Sequence, residues 1–254
     1  MILDDFTYRK IYAGLNSYED ISRLAKEYNY YDEELFLVIY TQKKVREVTA
    51  RFYKIKAKAD KLEKEWKSGK SFLEISDEKK FPPVMTAFII LTNNKMGKKT
   101  FRKILRNQKK VKSKRLKREI EEIKRTDHIY SPKGYQVQRV RGEQGEERIR
   151  NWLDSKGIEF EREEDLRRQG GKTPDFLLKK PIYYRGEKVV WIESKATFAD
   201  DKEFKKNLNK QLSSYREIFG QGMVIYWFGI VDTIPTLDGI VVETEEVLRD
   251  HWDF

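Results

Sequence analysis

The chemistry in this chain gathers at Asp175, Glu193 and Lys195. Thr173-Pro174-Asp175 opens an apolar run through Phe176, Leu177 and Leu178. Beyond the turn Arg185-Gly186-Glu187, a more apolar run reads Val189, Val190, Trp191, Ile192, Glu193, Ser194, Lys195, Ala196. Side chains along a strand alternate with a period of two, so Glu193 and Lys195 share one face while Ile192 and Ser194 take the other. Pairing the two runs antiparallel through the Arg185 turn carries Asp175 to the same end of the sheet. Two carboxylates and an ammonium then converge. Hard oxygen donors, with a backbone carbonyl and water beside them, suit Mg2+ or Mn2+ rather than zinc. A neighbouring lysine can orient or help deprotonate an attacking water and balance charge on a scissile phosphate. The chemistry this set would serve is phosphodiester hydrolysis.

Composition removes most alternatives. The 254 residues include no cysteine, which excludes disulfides, zinc ribbons and thiol nucleophiles. The two histidines, His128 and His251, lie in no triad-like context, so carboxylates and lysines must do any work. A net charge of +11 and a pI near 9.4 favour a polyanionic partner: nucleic acid, with a membrane surface as the competitor. The apolar run at 223–231 is far too short to span a bilayer and the first residues have no signal layout, so the expectation is an intracellular protein, cytoplasmic or nucleoid-associated.

The elements that must position these residues lie in the second half. Residues 142–157 read as a helix, with Ile149, Trp152 and Leu153 inward, Glu143, Glu146 and Glu147 in its first turns, and Gly157 as its stop. A strand is expected over 158–164, then a loop at Gly170 and Gly171, the strand opened by Asp175, the Glu193 strand, a helix, and a strand over 223–228. The predicted order is αβββαβ.

The first half shows helical periods and no strand alternation. Ser17 and Asp20 form a capping pattern for a helix through Ile21, Leu24 and Ala25, with a turn at 29–32 leading to a second helix. A similar unit runs from Phe72 through Lys79 to a helix begun by Pro82 and Pro83. Each pair reads equally as a DNA-reading helix-turn-helix or as a plain helical hairpin. Val45, Val48, Phe52, Ile55, Ala59, Leu62 and Trp66 make the stripe of one long helix, either a spine or a homodimer seam. From Lys95 to Arg118 there is no acid. Lys109, Lys110, Lys112, Lys114, Arg115, Lys117 and Arg118 are read as a nucleic-acid contact, the alternative being a solvated helix face. Ser131, Pro132 and Gly134 are read as helix breakers, dividing a basic helical region, 1–130, from a second domain, 131–254.

The order of elements, with Pro174-Asp175 and Glu193-Ser194-Lys195, resembles the PD-(D/E)XK nuclease superfamily. Gln211 and Tyr215 are similar to its RecB-like Q-x-x-x-Y motif. Glu146, eleven residues before Gly157, is similar to the early glutamate of archaeal Holliday junction resolvases. A closer resemblance, through Thr173-Pro174-Asp175, residues 142–147, 191–196 and 224–227, is to the TPD-motif family of archaeal proteins and animal codanin-interacting nucleases. The resemblance implies an α+β chain: a helical N-terminal region followed by a restriction-endonuclease-like αβββαβ domain. It implies a magnesium- or manganese-dependent nuclease, with DNA as the favoured substrate. Asp175 and Glu193, the carbonyl of Ser194 and Glu146 would be metal ligands, with Glu143 or Glu147 as substitutes for Glu146. Lys195 would act on water, with Gln211 and Tyr215 in support. An RNA-processing nuclease, or a nucleic-acid-binding scaffold that no longer cuts, are the other expectations that fit.

Overall fold

The computed structural model describes residues 1–109, 111–166, 172–250 and 252. It is α+β, with a helical N-terminal region and a mixed five-stranded sheet. Two compact units form: Met1–Tyr40 with Val140–Phe254, and Thr41–Arg139. This is not a division into two continuous halves at 131.

The chain opens with β1 (Ile2–Leu3), α1 (Asp5–Gly14), α2 (Asp20–Glu27) and the first residues of α3 (Glu33–Lys56), all in the first unit. Asp4 caps α1 by accepting from the Thr7 N–H at 2.8 Å. Ser17 does not cap α2. Instead Asp20 bends its carboxylate back to accept from the Asn16 and Ser17 N–H groups, because the preceding loop leaves those donors free.

The second unit holds the rest of α3, α4 (Ala59–Lys67), α5 (Phe72–Lys79), α6 (Pro83–Asn93), α7 (Lys98–Arg106), α8 (Lys114–Thr126) and the start of α9 (Pro132–Ser155). The expected single long helix is broken: α3 ends at Lys56 and α4 starts at Ala59. A three-periodic stripe cannot distinguish one helix from two joined by a short bend, since the apolar spacing survives the bend. Val48, Ile55, Ala59 and Leu62 are buried, which makes the stripe an internal spine. Ser71 and Glu74 form a capping box on α5, and Pro83 opens α6. The helical run is interrupted at 127–131, where breakers are expected, but Pro132 itself starts α9, where a missing N–H costs nothing, and Ser131 Oγ accepts from the Gly134 N–H inside that helix.

The first unit then continues through the remainder of α9 to β2 (Phe160–Arg162), α10 (Glu163–Leu166), β3 (Phe176–Tyr184), β4 (Glu187–Lys195), α11 (Asp201–Asn207), a π-helical turn (Leu208–Leu212), α12 (Ser213–Phe219), β5 (Gly222–Tyr226), β6 (Ile230–Val231), β7 (Ile240–Thr244) and a 3-10 turn (Glu245–Arg249). The strand expected over 158–164 is shorter than its apolar pattern, since the chain turns into α10 at Glu163. Sheet order is β2-β3-β4-β5-β7, antiparallel through the first three strands and parallel through the last three. β3 and β4 form a hairpin whose turn residues, Arg185 and Gly186, both have positive φ, as the right-handed twist of the strands demands. β4 is central, and its middle residues, Val189 to Ile192, are apolar, with Val189, Trp191 and Ile192 fully buried. β1 lies parallel to β6 in a separate ribbon. Leu3, Tyr8, Ile11, Leu15, Phe36 and Ile39 share a core with Phe198 and Val231, which is why the first forty residues belong to the sheet-bearing unit.

Candidate active site

Pro174 biases Thr173 toward extended backbone and leads the chain into β3, with Thr173 and Pro174 buried and Asp175 just ahead of the first strand residue. β3 pairs with β4 only as far as Phe176 opposite Ile192. Beyond that point no described strand pairs with this edge of β4, and the Asp175 side chain takes the place: its Oδ2 accepts from the Ser194 N–H at 2.8 Å. In the other direction the Asp175 N–H donates to Glu193 Oε2 at 3.2 Å. Asp175 and Glu193 are thus held side by side by two strand termini.

Lys195, two residues along β4 from Glu193, pairs with Glu193 Oε1 and donates to Gln211 Oε1 at 2.9 Å. Gln211 Nε2 donates to the Tyr215 hydroxyl at 3.1 Å. Gln211 sits in the π-helical turn and Tyr215 is buried in α12. Wider π turns inside helices are frequent where a side chain must be re-aimed. The predicted Asp175, Glu193, Lys195, Gln211 and Tyr215 therefore form one continuous set of polar links.

Electrostatics follows from packing. Glu193 is only 2% exposed. Its carboxyl rises to about 7, first because burial disfavours the charge and then because Asp175 is close, with Lys195 opposing. Asp175 is also raised, by burial, with the Ser194 N–H and Lys195 opposing. Tyr215 is held above the ordinary phenol range by burial and by Glu193.

Glu146, on α9, is half-buried and raised by burial and then by the Asp175 charge, with Arg162 at 3.8 Å opposing. It lies within electrostatic reach of Asp175. Yet among the described residues no group of three or more His, Cys, Asp or Glu stands close enough together to hold a metal ion, so Glu146 does not join the carboxylate pair in such a group. Glu147 is exposed and paired with Arg150, and Glu143 is exposed.

Three partners escaped the sequence. Arg162 faces Glu146, and nothing in a strand of alternating charge marks it. Trp227 donates from its indole to Ser194 Oγ at 2.8 Å. Gly145 lets α9 approach that pair: a Cβ there would lie 2.2 Å from Trp227 Nε1 and 2.8 Å from Ser194 Oγ. The available signal was a glycine in the middle of a helix, where it costs about 1 kcal/mol relative to alanine and so implies a packing reason.

The predicted basic residues belong to the other unit. Lys109, Lys112, Lys114, Lys117 and Arg118 are exposed, Arg118 facing Glu122 at 3.6 Å. Arg115 is a correction to that set. Its guanidinium donates to Glu119 and to the carbonyls of Trp66 and Lys70, at 2.6 to 2.8 Å, and lies over the Trp66 ring. It is a structural fastener, because helical periodicity turns it toward the buried Glu119 one turn on. Lys110, Gly170, Gly171 and His251 lie outside the described residues. Within the described residues no helix is long and apolar enough to cross a membrane.

Comparison with known proteins adds the following. CDAN1-interacting nuclease 1 of Danio rerio is 39% identical over 120 residues, covering 47% of this chain and 40% of that protein. The Mus musculus protein of the same name is 32% identical over 170 residues, covering 64% and 60%, and the Homo sapiens one 30% identical with the same coverage. The chain thus spans less than two thirds of the length of these curated relatives. No solved structure matches it. The sequence model of the family described as "Protein of unknown function TPD sequence-motif" matches residues 112–246, just over half of the chain and including Thr173, Pro174, Asp175, Glu193 and Lys195, so the chain belongs to the TPD sequence-motif family.

Proposed function

We propose that this protein is a divalent-metal-dependent nuclease of the PD-(D/E)XK type that hydrolyses phosphodiester bonds, with structured DNA as the favoured substrate. The observation that carries the reading is the clasp of Asp175 and Glu193 at the end of the sheet with Lys195 beside them. The nuclease named among the relatives supports the same class. So does the succession of α9, β2, β3, β4, the α11–α12 segment and β5 around a central β4, close to the αβββαβ order expected of a restriction-endonuclease-like core, with α10 inserted after β2 and β7 added beside β5.

The residues fit a hard cation. Burial raises both Asp175 and Glu193, so two adjacent carboxylates lack the positive charge that would let both ionise, and Lys195 supplies only one. Asp175 and Glu193 would hold Mg2+ or Mn2+. The Ser194 carbonyl is a natural third donor, since in a strand it points to the same edge as the Ser194 N–H that Asp175 receives. Glu146, which does not stand close enough to join the pair as a direct ligand, would complete the shell through water. When bound, the ion supplies an acidified water and charge neutralisation at phosphate.

The chain's own side chains do the remaining work. The Lys195 ammonium orients the attacking water and stabilises the hydroxide and phosphate charge that develop, while Gln211 fixes that ammonium against rotation. Tyr215 holds the Gln211 amide so that its oxygen, not its nitrogen, faces the lysine. Cleavage of labelled duplex, flap, junction and RNA substrates in magnesium, in calcium and in chelator tests the reading. Asp175→Asn and Glu193→Ala should abolish cutting and leave nucleic-acid binding within a few-fold. Wild-type turnover in either purified variant, or full activity in chelator, overturns it.

A further inference from the structure

The charge of this protein is divided between its units. Thr41–Arg139 holds thirty Lys and Arg against eleven Asp and Glu, whereas the unit with the carboxylate site holds twenty-three against thirty-one. The site-bearing unit would by itself repel a polyanion. Within the basic unit, residues 79–118 contain no acid at all.

The cations of that stretch differ in what they are doing. On α8, Arg115 is consumed internally, and Arg118 and Lys124 face Glu122 and Glu121. On α7, Lys98, Lys99, Arg102, Lys103 and Arg106 are all exposed, and none has an ion pair or side-chain hydrogen bond with a described residue. Three like-charged pairs, Lys98 with Arg102, Lys99 with Lys103 and Arg102 with Arg106, stand at the i,i+4 spacing that destabilises a helix. Lys98 and Lys99 also crowd the end of the helix where the dipole is positive. Fold stability gives no reason for this arrangement. A string of phosphates gives one, because each cation that neutralises a phosphate also releases counterions.

We infer that the exposed face of α7 is a surface for the phosphate backbone of double-stranded nucleic acid. The inference rests on the nucleic-acid reading above and names the surface that serves it. From Lys98 to Arg106 the helix runs about 12 Å, the length of roughly three to four phosphate steps along one strand. A membrane surface fits poorly. The apolar residues of α7, Phe101, Ile104 and Leu105, are buried, so the helix offers no apolar face to a bilayer.

The test uses the whole chain and a short labelled DNA duplex in calcium or chelator, reading log affinity against log salt. Changing Lys98, Lys99, Arg102, Lys103 and Arg106 together to Gln should flatten the slope by up to about four units, at roughly 0.9 per phosphate contact. The smaller Lys99→Gln/Lys103→Gln variant should flatten it by about two. Lys112→Gln/Lys114→Gln/Lys117→Gln, on α8 and the loop before it, should change it by less than about one. Thermal melting should be unchanged or raised in the α7 variants, since like-charge repulsion is removed. A folded α7 variant with the wild-type slope overturns the inference. So does a wild-type chain that binds phosphatidylserine vesicles but not the duplex. A chain that grips the duplex through α7 yet cuts nothing in magnesium removes the nuclease reading and leaves this surface standing.

Discussion

The Asp175 carboxylate receives the Ser194 peptide N–H at 2.8 Å, standing in for a strand that has not yet begun. One residue thereby does two jobs: its side chain closes this edge of β4 and its N–H donates to Glu193 Oε2 at 3.2 Å. The geometry of the site is set by where β3 stops pairing with β4.

Lys195→Ala should be inactive at any magnesium concentration, because its proposed role is toward water and phosphate rather than metal affinity. Tyr215→Phe should be milder. It removes one acceptor for Gln211, and a hydrogen bond worth about 1 kcal/mol corresponds to a several-fold fall in kcat. Single-turnover cleavage separates the two, and a Tyr215→Phe loss as large as that of Lys195→Ala would contradict the relay through Gln211.

In the metal-free protein, stability should fall as pH rises from about 4.5 to about 7. Across that window the native Glu193 carboxyl, raised to about 7, still holds a proton that the unfolded chain has released. Raising the pH therefore favours unfolding. Asp175 is shifted in the same direction. Thermal melts in chelator measure this, and Glu193→Gln should flatten the profile.

Gly145→Ala should lower stability by about 1–3 kcal/mol, since the new methyl would press on the Trp227 indole and the Ser194 hydroxyl. Cleavage should fall further than stability alone explains, because α9 also carries Glu146. Denaturant unfolding alongside kcat in magnesium checks both. An alanine variant as stable and active as wild type would show that α9 is free to shift.

Arg115→Gln should cost about 1–3 kcal/mol, as it strips bonds from the Trp66 and Lys70 carbonyls and from Glu119, which is only 1% exposed. Lys112→Gln/Lys114→Gln/Lys117→Gln should melt like wild type. Equal melting of the two variants would return Arg115 to the free basic surface.

Read alone, the sequence singled out Asp175, Glu193 and Lys195 as candidates and anticipated the succession of β2, β3, β4 and β5, though not β7. That was possible because period-two alternation assigns Glu193 and Lys195 to one face whatever lies around the sheet, and a hairpin turn at Arg185-Gly186 permits only one local pairing of its strands. The α+β class and the helical character of the first half were legible for the same local reason. Only tertiary structure decided which helices serve which unit. Periodicity shows that a helix has an apolar face but not what covers it, so the first forty residues joined the sheet and the boundary moved into α9. The same limit hid the break between α3 and α4. Arg115 and its exposed neighbours look alike as letters in a basic run. The difference comes from the carbonyls of Trp66 and Lys70, which folding brings to Arg115 from a distance in the chain, while among the described residues nothing comparable reaches the cations of α7.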